Sequence, residues 1–165
     1  MKIKKFNFYL YHSRISKYAI LSLLGDRPKY SDLLFRQLWD FILFDFVESA
    51  WGGGNQFLKA IKDYLVNNDR YVDNYRDADV ILLNSHHNAL KAIKIKLKNK
   101  HIKFVHRIDG PIYYYREDGY YLDKLIFALN AILANGTIFQ SNYTKQASVI
   151  RGINLINQTS SIITN

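Results

Sequence analysis

The chain has 165 residues, 48% of them hydrophobic, which is enough for one domain with a full core and leaves no low-complexity tract or internal repeat. It contains no cysteine, which excludes disulfides and thiolate metal sites and fits a reducing compartment such as the cytoplasm. A formal charge of +9 admits a nucleic acid, an anionic membrane surface or a phosphorylated small molecule as partner, and does not choose among them.

Residues 1–40 read as a basic, aromatic-rich N-terminal extension, helical or irregular, broken at Gly25–Pro28 and restarting at a cap on Ser31. Its apolar stretches are interrupted by His12, Ser13, Arg14, Ser16 and Lys17, and no small-residue cleavage site follows, so it does not read as a signal peptide. No run is long enough to span a bilayer. Lys2, Lys4, Lys5, Arg14 and Lys17 among aromatics suit peripheral attachment to an anionic membrane.

From residue 41 to 165 the pattern is that of an α/β domain. Phe41–Val47 reads as a buried strand, followed by a glycine turn and a helix over about 55–67. A short strand is expected near Arg70–Val72, a continuous apolar strand over Ala78–Leu83, and then a helix flanked by Lys91, Lys94, Lys96, Lys98 and Lys100. Ile102–Val105 reads as a strand, 120–133 as a helix and Thr137–Phe139 as a strand; a helix from Asn142 and a last strand at Ser161–Thr164 complete the series. Strands that are apolar throughout and alternate with helices predict a Rossmann-like open parallel sheet with helices on both faces.

In such a sheet the polar clusters share an address. Gly52–Asn55, Asn84–Asn88, His106–Pro111 and Gln140–Ser141 all follow predicted strands, at the carboxyl edge where open α/β sheets bind ligands. Gly52, Gly53 and Gly54 would leave bare N–H groups at a helix N-terminus, a cradle for phosphate or a sugar hydroxyl. A dinucleotide fingerprint would need glycine where Phe57 stands, although Asp73 lies near the distance of a ribose-binding acid. Adjacent histidines such as His86 and His87 usually point apart, and no acid stands beside them in a ligand spacing, so no metal is expected. Ser85 lacks the G-x-S-x-G context of a hydrolase nucleophile. His106, one residue before Arg107 and three before Asp109, offers a polyhydroxyl or phosphorylated ligand a donor, a cation and a carboxylate together. The alternative is a buried polar network that stabilises the turn at Gly110–Pro111.

WGGGNQFLKA (Trp51–Ala60), ADVILLNSHHN (Ala78–Asn88), VHRIDGP (Val105–Pro111) and GTIFQSNYTKQ (Gly136–Gln146) together resemble the N-terminal domain of family 4 glycosyltransferases of GT-B fold. The resemblance runs from about residue 41 to the end. It implies retaining transfer from a nucleotide-sugar co-substrate, without bound metal or other cofactor, to a glycan or lipid-linked acceptor held by this domain. It assigns Gly52, Gly53, Gly54 and Asn55 to the donor diphosphate and His106 to the donor sugar as the catalytic contact. Ser85, His86, His87, Arg107, Asp109, Gln140 and Ser141 are expected to line the substrates. The family's C-terminal donor domain has no counterpart here, and Ser161–Asn165 resembles the strand before the interdomain linker, so the chain reads as a truncated or partial gene product or as one half of a split enzyme.

Two other functions compete with this one. A noncatalytic sugar- or nucleotide-binding module would need the same cradle without the chemistry. A nucleic-acid-binding protein is disfavoured, because no aromatic-basic recognition motif is present and the basic stretches lie away from the glycine edge.

Overall fold

The structure, a computed structural model, describes residues 38–48, 52–156 and 158–163. The extension therefore lies outside the described residues up to residue 37, as does Trp51. The strands are β1 (Asp40–Leu43), β2 (Val80–Asn84), β3 (Lys103–Ile108), β4 (Gly136–Phe139) and β5 (Thr159–Ile162). The helices are α1 (Gly53–Asn67), α2 (Ala89–Lys98), α3 (Gly119–Leu133) and α4 (Asn142–Ile150), with 3₁₀ turns at Tyr75–Asp77 and Ile112–Tyr114.

All five strands are parallel, in the order β1-β2-β3-β4-β5. The strand expected at Arg70–Val72 is reduced to a single parallel bridge between Tyr71 and Asp40, closed by Asp40 N–H to Arg70 O at 2.7 Å and Val72 N–H to Asp40 O at 3.0 Å. That bridge lies on the outer side of β1. The chain thus leaves β1 in one direction through α1, then returns past it to β2 and proceeds in the other direction. Right-handed crossovers that reverse direction place their helices on opposite faces of a sheet. The side chains agree. Ile42 packs with Leu58 and Leu65 of α1, whereas Leu43, Ile81, Leu83 and Phe104 pack with Ala92 and Ile95 of α2 and with Leu129 and Leu133 of α3. Helices thus pack on both faces of the sheet, and the apolar runs of β1, β2 and β3 supply the core between them.

β1 stops at Leu43 rather than at Val47, because Phe44 N–H turns back to Ile42 O at 3.0 Å. Phe44 and Phe46 then pack against the α1 cluster from a loop. β5 begins two residues earlier than expected, at Thr159, which is set by its register opposite Gly136.

The start of α3 depends on Gly119. A Cβ there would stand 2.5 Å from Tyr113 N and Cα, and these are backbone atoms that cannot rotate away. Alanine in a helix is ordinarily more stable than glycine by up to about 1 kcal/mol. Here Gly119→Ala is expected to destabilise by roughly 1–3 kcal/mol through overpacking, lowering the melting temperature by several degrees. A raised melting temperature in a thermal scan would contradict the packing described.

Candidate functional site

The reversal of chain direction opens a crevice between the ends of β1 and β2, the position where open α/β sheets bind ligands. Gly52, the N-cap of α1, has φ 61° and ψ 143°, a conformation that a side chain strongly disfavours. Among the described residues no side chain caps the first turn of α1, and no acid sits in it. Gln56 N–H bonds Gly52 O at 3.3 Å, so the amides of the three residues between them have no carbonyl four residues back inside the helix. Among the described residues, a Cβ added at Gly52 or Gly53 would meet nothing within 4 Å, and both glycines are exposed. The result is an accessible patch of partial positive charge.

Gly54 faces inward. Its Cβ would lie 3.6 Å from Asn84 Nδ2, 3.6 Å from Asp109 Oδ2 and 3.8 Å from Arg107 Nη1. The turn therefore rests directly on a polar cluster from the ends of β2 and β3. Arg107 is 2% exposed, donates Nη1–H to Asn84 Oδ1 at 2.8 Å, forms an ion pair with Asp109 and lies 4.2 Å from the Phe57 ring centre. Burial lowers its pKa to about 10, which leaves it a cation at neutral pH. The side chain of Asp109 is 39% exposed, so the buried pair has one end open to solvent.

The structure brings the other candidates to the same edge and gives them different tasks. Asn55 accepts from Val47 N–H at 3.2 Å and donates to Val47 O at 2.9 Å, so its amide ties the preceding loop to α1. Ser85 adopts φ 51°, and its hydroxyl lies 3.3 Å from His86 Nδ1. His86 and His87 do not point apart; their rings stack at 4.7 Å and 22°, with His87 edge-on to Phe44. Burial and then the neighbouring His86 lower the pKa of His87, against the pull of Asp45. The stacked imidazoles supply a flat polar surface. Among the described residues no group of three or more His, Asp or Glu is placed to hold a metal. Gln140 follows β4 half-buried, and Ser141 caps α4 by accepting from Thr144 N–H at 3.1 Å.

His106 lies elsewhere. Strand alternation turns it to the α3 face with Phe104 and Ile108, opposite to Arg107, and it has no exposed surface. Its Nε2–H donates to Ser85 O at 2.8 Å, and its Nδ1 accepts from Asn130 Nδ2 at 3.2 Å. Asn130 also donates to Thr137 Oγ1 at 2.8 Å, and Thr137 donates to Gln158 Oε1 at 2.6 Å. Burial lowers the pKa of His106 to about 4 despite the bond to Ser85, which leaves the ring neutral. The His106 ring, expected as the catalytic contact, is enclosed in a buried polar network in this structure. Its effect on the cleft passes through the Ser85 carbonyl.

Asn84, which opens the polar cluster expected after β2, orients Arg107. Phe57 floors the guanidinium, a role with no local signal, since only the arrival of α1 over β3 reveals it. Fold and site together define an open parallel α/β domain with a glycine turn at its topological switch point. No family model matches the chain, and neither a curated protein nor a solved structure matches it significantly.

Proposed function

We propose that the chain is the acceptor-side half of a glycosyltransferase, acting with a donor-binding domain to move a sugar from a nucleotide-sugar to a glycan or lipid-linked acceptor at the cytoplasmic face of a membrane. The observation that carries this reading is the open, uncapped turn Gly52–Gly54 seated on Arg107 and Asp109. Its amides and the helix dipole suit the negative charge of a diphosphate leaving group, and the half-exposed Asp109 carboxylate suits sugar hydroxyls. Neither task calls for a metal or another cofactor.

The enclosure of His106 favours a second reading, a noncatalytic sugar- or nucleotide-binding module, because it removes the one imidazole assigned to chemistry. A transfer assay separates the two. With a GT-B donor domain supplied in cis or trans, sugar transfer is expected, and Gly53→Asp should lower turnover by roughly one to three orders of magnitude. The added carboxylate enters open space at a helix N-terminus, so the fold should be unharmed while the diphosphate is repelled. Undiminished transfer by Gly53→Asp would remove the glycine turn from the reaction.

A further inference from the structure

The turn after β3 carries an unusual load. Between residues 109 and 124 lie Tyr113, Tyr114, Tyr115, Tyr120 and Tyr121, five of the thirteen tyrosines in the chain. Tyr115 is 84% exposed, Tyr121 75% and Tyr114 56%. Large aromatic side chains left this open on a folded domain mark an interaction surface.

The backbone beneath them is held firmly. Asp123, 3% exposed, accepts from Ile112 N–H at 2.9 Å and Tyr113 N–H at 3.3 Å. Arg151, from the end of α4, lies 3.6 Å from Asp123 Oδ2 and places its guanidinium 3.9 Å from the Tyr113 ring centre. Tyr113 meets Tyr114 edge-on at 5.3 Å, and Tyr120 meets Tyr121 edge-on at 5.6 Å. Tyrosines on a stiff backbone lose little entropy when a ligand stacks on them.

Charge selects the partner. This stretch has four acids, Asp109, Glu117, Asp118 and Asp123, against two bases, Arg116 and Lys124, but Asp109 is paired with Arg107 and the buried Asp123 faces Arg151, so its exposed surface is close to neutral in a chain that is otherwise strongly basic. Arg116 is paired with Asp118 at 3.1 Å, and Lys124 lies over Tyr120 at 4.4 Å. An anionic lipid surface or a nucleic acid would find no net positive charge on this stretch, and the lysines of α2 lie on another element. An uncharged ligand with flat C–H faces and many hydroxyls meets rings and phenol groups that suit it.

We propose that these tyrosines form a stacking platform for a neutral oligosaccharide, the acceptor chain of the reaction above. The proposal rests on the glycosyltransferase reading for the word acceptor, and on the tyrosines alone for binding. The test is saturation-transfer NMR on the full chain with maltohexaose, cellohexaose, mannohexaose and chitohexaose. At least one should bind. The double variant Tyr115→Ser, Tyr121→Ser should weaken that binding at least tenfold, while Tyr115→Phe, Tyr121→Phe keeps most of it, because stacking needs the ring. Both positions are exposed, so unchanged circular dichroism is expected and serves as the folding control. Gly53→Asp should leave glycan binding intact, so a failed transfer assay and a failed platform are distinguishable. Absence of binding by all four sugars overturns the proposal, as does equal binding by the serine variant. Tyrosine-dependent binding to phosphatidylglycerol vesicles or to a single-stranded oligonucleotide in place of the sugars also overturns it.

Discussion

Arg107→Ala is expected to unfold at a markedly lower temperature than the parent chain. The guanidinium is 2% exposed and serves Asn84, Asp109 and Phe57 at once, so its removal leaves a buried amide oxygen without its donor and a void above the Phe57 ring. Breaking a fully buried pair costs about 3–5 kcal/mol. Asp109 is 39% exposed and can be rehydrated, which brings the expectation to roughly 2–4 kcal/mol, or a fall of the order of 10 °C at this chain length. Arg107→Lys should recover only part of this, since an ammonium cannot reproduce the planar fork or lie flat over Phe57. Thermal unfolding of the three proteins checks it. Unchanged melting of Arg107→Ala would mean that the cluster beneath the glycine turn does not form.

The second large effect concerns His106. Truncation to alanine should cost roughly 2–4 kcal/mol, because it removes a fully buried ring and strands the Ser85 carbonyl and the Asn130 amide together. The pH dependence carries a sharper signature. The folded pKa of about 4 lies below the usual 6.5, so the unfolded chain binds the additional proton between these values. The contribution of His106 is therefore fully present above about pH 6.5 and is lost as pH falls through about 4. Asp40 works in the opposite sense. Burial raises its pKa to about 6 in spite of the ion pair with Arg70, so its contribution is present below about pH 4 and is lost as pH rises through 6. The two partly cancel in the parent chain. In an Asp40→Asn background, stability should fall by up to roughly 1.4 kcal/mol per pH unit between 6.5 and 4, and adding His106→Gln should flatten that slope. An equal slope with and without the imidazole would contradict the burial of His106.

The architecture was legible where burial acts on both faces of a strand. In Val80–Leu83 and Phe104–Val105, Ile81, Leu83 and Phe104 face α2 and α3, Leu82 faces α1, and Val80 and Val105 pack with Ile138, Leu38 and Ile163, so every position is apolar. The end of β1 was not legible. Phe44 and Phe46 alternate like strand residues, yet they pack from a loop whose course is set by Asn55 and Val47, eight residues apart. The bridge at Tyr71 was read as a strand because a short apolar run does not reveal how many partners it will find. For the site, position along the strands was readable and direction was not taken from them. Phe104, His106 and Ile108 alternate with Val105 and Arg107, so parity alone separates the histidine from the arginine; what encloses the histidine, Asn130 and Thr137, comes from distant residues that carry no local signal. Asp123 is likewise silent in sequence, since its role is to hold two amides of a turn ten residues back.

The most direct measurement is amide chemical-shift mapping of the full chain titrated with inorganic pyrophosphate at low ionic strength. The resonances of Gly52, Gly53 and Gly54 should move together and saturate, with Asp109 and its neighbours following, and Gly53→Asp should abolish the response while leaving the rest of the spectrum in place. Shifts confined to Lys91, Lys94 and Lys98 on α2, or a response unchanged by Gly53→Asp, would contradict the assignment of the glycine turn as the anion cradle.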